Sequence, residues 1–375
     1  MRDMHPHSAC ALQFLAGFAS QVTSPLQAAY ALEELHLTVT QLGVANSLLG
    51  AAYVGAIAYV ITAAPPVRQT LWWTLVARII ASIAYACATM LPMALFTASR
   101  IVHGASLASI TVCFQLAAAR PFQEVTPGFA RALSLCLMVG PLVGMACASV
   151  LAATVAPRTA VDACNALYVV SALASWGVAH TVTDGDVESS LTSTSLSSPT
   201  PFFHARTVLL CVACNVGFGM LTLETLAPLV AQRALHVPTA HVGSVVLPLM
   251  SVIVCSQTVA LHIGDHVTDV ALVFAVGAAL TGTAHLSASM ALLCASGAMQ
   301  MSWCTGRGTV TATHAAHVQM AMQLGRCIGP LMGGVLLGNE KTDDVSGFWI
   351  TQTAITVCAA CAAHAVEASD RTQML

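Results

Sequence analysis

Few residues in this chain can carry charge or protons, and most of those few stand in apolar surroundings. Arg100 sits within Ala98-Ser99-Arg100-Ile101-Val102-His103-Gly104-Ala105-Ser106. An arginine at the centre of a membrane helix costs about 2.5–3.5 kcal/mol even on the lenient insertion scale. Arg100 therefore needs a carbonyl, acid or water partner, unless it snorkels to an interface. On this reading Glu224 is the one carboxylate well inside the helices of the second half, and Gly217, seven residues earlier, shares its helical face. A carboxyl held out of water suits reversible protonation. Glu224 is therefore a candidate proton-coupling residue; a glutamate near a helix end is the plainer alternative.

A second group is polar but neutral. Gln13, Gly17, Ser20, Ser24 and Gln27 fall within about 40° of one line at 100° per residue. Such a stripe faces either a neighbouring helix or a wet cavity. Gln21 and Tyr30 lie off the line, and Asn46, Asn215, Gln300 and Trp303 add polar groups at membrane depth, with the cation Arg307 beside the last two. Together these are candidate cavity lining, whereas Arg326 reads as an inner-interface residue. Fourteen histidines are present. His314 with His317, and His262 with His266, fall near helix ends, where an interfacial role outweighs metal binding. The spacing implies neither a metal site nor a cofactor.

Composition says what positions these groups. Hydrophobic residues make up 57% of the 375 and charged residues 8%, against roughly 25% charged in soluble domains. With a mean hydropathy of +0.79, lipid is the solvent. A net charge of −3 excludes the usual basic footprint for nucleic acid. The 14 cysteines lie mostly in apolar runs, including Cys211–Cys214 and Cys358–Cys361, and read as small packing residues.

Helices of about 20 residues span a bilayer. The sequence predicts them at 9–32, 42–63, 70–92, 93–118, 129–155, 161–182, 206–230, 241–262, 268–287, 288–310, 318–338 and 346–366. The expected organisation is an all-α membrane protein of two pseudo-symmetric six-helix bundles, 1–182 and 206–375. The polar, Ser/Thr-rich segment 183–205 joins them as a linker. The bias of Lys and Arg places the linker and both termini in the cytoplasm, in the inner membrane if the cell is bacterial.

An internal repeat supports two halves. Leu35-His36-Leu37 through Leu42-Gly43 can be laid on Leu235-His236-Val237 through Val242-Gly243, a shift of 200 residues. Gly140-Pro141-Leu142-Val143-Gly144 matches Gly329-Pro330-Leu331-Met332-Gly333, a shift of 189. The fifth and eleventh helices thus carry Gly140 and Gly144, and Gly325, Gly329 and Gly333, as small-residue faces that let backbones approach closely. Pro141 and Pro330 each remove a backbone hydrogen bond and should bend their helix. These residues are candidate hinge or packing positions, as is Gly104. Paired halves around a midplane site are a transporter architecture.

These residues resemble the major facilitator superfamily. Arg100 through Ala108 is similar to its fourth-helix motif, with His103 where Gln is usual. Gly140 to Gly144 resembles the fifth-helix "antiporter" motif, with Met145 in place of a second Gly. The nearest subgroup on this resemblance is the drug:proton antiporters. The family's loop pattern Gly-x-x-x-Asp-Arg-x-Gly-Arg between helices two and three is missing, since residues 63–70 read Ala-Ala-Pro-Pro-Val-Arg-Gln-Thr. The resemblance implies a monomeric secondary transporter that moves a small organic solute by alternating access, proton-coupled and exporting, with Arg100 a proton-coupling candidate beside Glu224. Nutrient uptake is the first alternative. A non-transporting sensor or scaffold is the second, favoured by the degraded loop.

Overall fold

The computed structural model describes residues 6–63, 67–119, 127–179, 202–238, 241–308, 312–338 and 345–373. Most of the expected linker lies outside these residues, as do some side chains within helices, those of Glu224 and Arg307 included. Among the described residues the chain is helical, with twelve principal helices and no strand. Helix α1 runs as Pro6–Gln21 and Ser24–Ala29 with a wide turn over Tyr30–Glu34. There follow α2 Val39–Ala63, α3 Val67–Ala86, α4 Pro92–Ala119, α5 Pro127–Thr154 and α6 Pro157–Ala179. Helix α7 comprises Phe202–Val216, a wide turn Gly217–Leu221, and Thr222–Ala234. The last five are α8 Gly243–Ile263, α9 Val267–Thr281, α10 Leu286–Gly308, α11 Ala312–Leu336 and α12 Ser346–Gln373.

Prolines decide several boundaries. Pro25 has no N–H and crowds the carbonyl four residues earlier, and α1 stops at that residue, Gln21, before restarting at Ser24. The expected uninterrupted helix over 9–32 is therefore broken after Gln21. Pro92 and Pro157 each open a helix, where a missing N–H costs nothing. Pro141 and Pro330 sit inside continuous helices.

The 200-residue repeat is visible in the backbone. His36 and His236 both adopt left-handed φ, 51° and 52°, and no other non-glycine residue among those described has positive φ. In each copy the next amide reaches back to close the helix end, Leu37 to the Ala31 carbonyl at 2.9 Å and Val237 to that of Ala231 at 3.1 Å. After the first of these, Thr38 and Gln41 cap α2 reciprocally: the Thr38 amide donates to Gln41 Oε1 (2.8 Å) and the Gln41 amide to Thr38 Oγ1 (3.2 Å).

Each bundle has its own apolar core. One gathers Leu26, Tyr30, Tyr85, Phe96 and Tyr168; the other Leu226, Val246, Met290, Met299, Phe348 and Trp349. Val39 and Met145 of the first bundle join the second core. With lipid as apolar as the side chains, close packing of small residues has to hold the helices together. Gly140 and Gly144 lie against the α1 backbone at Phe14, Phe18 and Val22. Gly325 lies against α7 at Cys214 and Phe218, and Gly333 against Leu226 and Phe348. Gly329 is buried beside Pro330. Between the bundles, Gly43 of α2 meets Pro330 and Gly334 of α11, and Gly243 of α8 meets Ser149 of α5. Both junctions lie toward the end that carries His36 and His236, so the bundles close on each other there.

Candidate substrate site

Helix α2 is the wall shared by the two bundles. Leu48, Ala51, Gly55 and Tyr59 are exposed on one side of it, and Asn46 faces the opposite way. Asn46 Oδ1 accepts two hydrogen bonds, from Gln27 Nε2 at 2.8 Å and from Arg100 Nε at 3.2 Å. One turn along α4, Gly104 lies against the Leu49 carbonyl, and a Cβ there would collide with it. That close crossing holds Arg100 against α2. Arg100 is 8% exposed and lies about 12 Å along α4 from its start, at the 1.5 Å rise of an α-helix. It does not snorkel, and a side-chain amide oxygen is its partner.

Arg326 stands across from it. The expectation of an inner-interface residue is corrected: Arg326 lies ten residues before the end of α11, about 15 Å into the helix. Its direction follows from its neighbours. Cys327 and Gly334 touch α2 at Gly50 and Gly43, while Met322 and Gly325 touch α7. On a helical wheel Arg326 falls between these two contact arcs, opposite the exposed Leu324, Ile328, Leu331 and Val335. It therefore faces the centre of the protein.

Deeper in the first bundle, His103 Nδ1 and Tyr168 Oη are 2.8 Å apart. The guanidinium of Arg78 lies 5.5 Å from the centre of the Tyr168 ring. Arg78 is 1% exposed, and its three nitrogens find no hydrogen-bond acceptor among the described residues. Below it Ser82 Oγ donates to Asn165 Oδ1 at 2.9 Å, and Asn165 Nδ2 donates back to the Ser82 carbonyl at 3.0 Å. Sequence reasoning passed over this seam. Its signal was there, since Thr70, Thr74, Arg78 and Ser82 recur every fourth residue on one face of α3 and all are buried.

In the second bundle Asn215 Nδ2 donates to Gln300 Oε1 at 3.0 Å, and Gln300 Nε2 donates to Ser296 Oγ (3.2 Å) and the Thr356 carbonyl (3.3 Å). Asn215, Gly219, Gln352 and Thr356 line a small cavity beside the wide turn of α7. Trp303 is brought not to this group but to Glu367, its Nε1 donating to Oε2 at 2.8 Å. Glu367 is 8% exposed, so Glu224 is not the one carboxylate inside the second-half helices. The sequence boundary drawn at 366 stopped one residue short, whereas α12 continues to Gln373. Nearer that end Asp269 meets Arg371 (3.4 Å), His266 (3.1 Å) and His364 (2.9 Å), tying α9 to α12.

Of the remaining candidates, Gln13 and Gln21 are buried with Oε1 unpartnered among the described residues. Ser20 turns back to the Gly17 carbonyl at 2.6 Å, and Ser24 opens the second segment of α1. The backbones of Glu224 and Arg307 lie on α7 and α10, with side chains outside the described set. Among the described residues no group of three His, Cys, Asp or Glu could hold a metal ion.

The arrangement is thus two helical bundles presenting buried polar and cationic groups to a common centre. No known family profile and no curated protein matches the chain. Solved structures do. The chain is similar to a D-xylose-proton symporter, at 14% identity over 96% of each chain with a TM-score of 0.73. It is similar to the nucleoside transporter NupG, at 16% identity over 97% of this chain and 99% of that one, TM-score 0.65. A bacterial homologue of the human lysosomal transporter Spinster, inward-facing and unoccupied, matches at 14% identity over 96% of this chain and 93% of that one, TM-score 0.61. The chain has the major facilitator fold and is an integral, multi-pass membrane protein.

Proposed function

We propose that this protein is a secondary active transporter that carries a small organic solute by alternating access. The carrying observation is the placement of Asn46, Arg100 and Arg326. They converge at one depth from both bundles, beneath an end where Gly43 and Gly243 let the bundles close. Rocking of residues 1–182 against 206–375 about these contacts would expose the centre to either side in turn. The chain then works as a monomer in a cell membrane, with both termini and the linker cytoplasmic.

Proton coupling is part of this reading, with Arg100 and Glu224 as the participating pair. The likeness of Gly140 to Gly144 to the antiporter motif supports export and a place beside the drug:proton antiporters. The alternative, nutrient uptake, is supported by fold neighbours that include a D-xylose-proton symporter and a nucleoside transporter. Flux into proteoliposomes against a solute panel, with pH gradients of either sign, separates the two by the sign that drives accumulation. In the same assay Glu224→Gln should abolish the response to the gradient. Unchanged gradient-driven flux would remove Glu224 from the mechanism, and no flux of any solute under any gradient would favour a sensor or scaffold.

A further inference from the structure

We propose that the central site takes an organic anion, a carboxylate or phosphate ester, held between Arg100 of α4 and Arg326 of α11. The proposal deepens the transport reading and rests on it only for the use made of binding. Three observations carry it.

The first is geometry. Arg100 is fixed by its Nε to Asn46 on α2. Gly50, one turn further along α2, packs on the backbone at Arg326 and Cys327, where an added Cβ would lie 2.9 Å from the Cys327 amide nitrogen. One turn of helix is about 5.4 Å and turns only about 40° past a full circle, so Asn46 and Gly50 share the inward face of α2 and bring Arg100 and Arg326 to that one face at matching depth. Both are on the sides of their helices turned away from lipid.

The second is charge. Arg100 spends Nε on an amide oxygen, and its two terminal nitrogens have no hydrogen-bond partner among the described residues. Arg326 forms no ion pair among those residues. Neighbouring amides, from Gln27 and Asn46, neutralise nothing. Two like charges facing each other at membrane depth are costly unless a counter-charge offsets them. An anion between them removes both the repulsion and the unmet donors. Planar guanidinium groups match carboxylate and phosphate oxygens two at a time.

The third is the division between bundles. One arginine belongs to each, so an anion bridging them draws the bundles together. A ligand that binds the closed arrangement better than the open one is what alternating access requires. Glu224 competes as the internal counter-charge. It lies two residues before Leu226, which packs level with Gly333, itself two turns beyond Arg326 on α11. The α7 backbone at Glu224 thus lies nearer the His36 end than the level of Arg326, and its side chain is outside the described residues.

The test is ligand-induced thermal stabilisation of the full-length purified protein. The probes are matched pairs: succinate with succinamide, benzoate with benzamide, and glycerol 3-phosphate with glycerol. At least one anion should raise the unfolding temperature while its neutral partner does not. Arg100→Gln and Arg326→Gln should each weaken that anion by roughly tenfold to a hundredfold, the loss of one charge-assisted contact. Arg100→Lys and Arg326→Lys should recover part of the effect. If a glutamine variant does not fold, the lysine variant alone serves, since loss of bidentate geometry should still weaken binding. Equal stabilisation by a neutral partner, or anion binding unchanged in both variants, overturns the proposal. A neutral solute that is bound and transported refutes the anion while leaving transport standing; absence of any flux strikes at transport itself.

Discussion

Gly43→Ala adds one methyl group where the two bundles touch. A Cβ at Gly43 would fall on the Pro330 carbonyl oxygen and 3.0 Å from Gly334 Cα. Ordinary contacts of a Cβ lie at 3.4–4 Å, and both obstructions are backbone, so neither can rotate aside. Overpacking of this kind costs about 1–3 kcal/mol. The cost falls only on the arrangement closed at the His36 end, because separation of α2 from α11 relieves it. The balance between closed and open forms should therefore shift by about 5- to 150-fold toward opening at that end. Val39 is a fitting reporter, being 1% exposed in the core of the opposite bundle. With Val39→Cys in an otherwise cysteine-free background, the rate of labelling by a membrane-impermeant maleimide reads the open fraction. Gly43→Ala should raise that rate by the stated factor. Gly55→Ala, whose Cβ meets nothing, should leave it unchanged. Equal rates with and without Gly43→Ala, in protein that still elutes as a single folded species, would refute the alternating closure of α2 on α11.

Three further outcomes are expected. Asn46→Leu leaves Arg100 Nε and Gln27 Nε2 without their acceptor, and should lower stability by about 2–4 kcal/mol in detergent unfolding, while Asn46→Asp, which keeps an acceptor, should cost less. Trp303→Phe removes the donor to Glu367 Oε2 and should destabilise by about 1–3 kcal/mol, measured the same way. Gly217→Ala would drive a Cβ into the Met322 carbonyl and should abolish folded expression, whereas Gly177→Ala, with open space around it, should be neutral or gain about 0.5–1 kcal/mol of helix propensity.

The fold was legible where it depended on local or compositional facts. Apolar runs located the helices, and the Leu35 and Leu235 segments announced the repeat that reappears as paired left-handed histidines. Where one residue overrode the hydropathy, the reading slipped. Pro25 lies inside an apolar run, so hydropathy passed over it, yet its missing N–H ends the helix at Gln21. Hydropathy also falls at Glu367 and Asp370, which drew the last boundary too early. The helix continues because its side chains have partners, Trp303 and Asp269 among them, in other helices.

The site divides along the same line. Arg100 stood out because a charge in an apolar run is conspicuous wherever it occurs. Its partner could not be named, because an amide 54 positions away becomes adjacent only when Gly104 lets α4 approach α2. Arg326 shows the reverse. Its type and position were plain, and it was assigned to the interface because depth was judged from the nearest predicted helix end. What sets its depth is the full length of α11, and what sets its direction is two sets of small-residue contacts, Gly43 and Gly50 on one side and Gly217 on the other. Those glycines are individually featureless in sequence. They become informative only as a pair of surfaces, and the angle between them aims a cation at the centre of the molecule. In this fold, therefore, the chemistry of the site is written in its few charged residues, while its geometry is held by residues with no side chain at all.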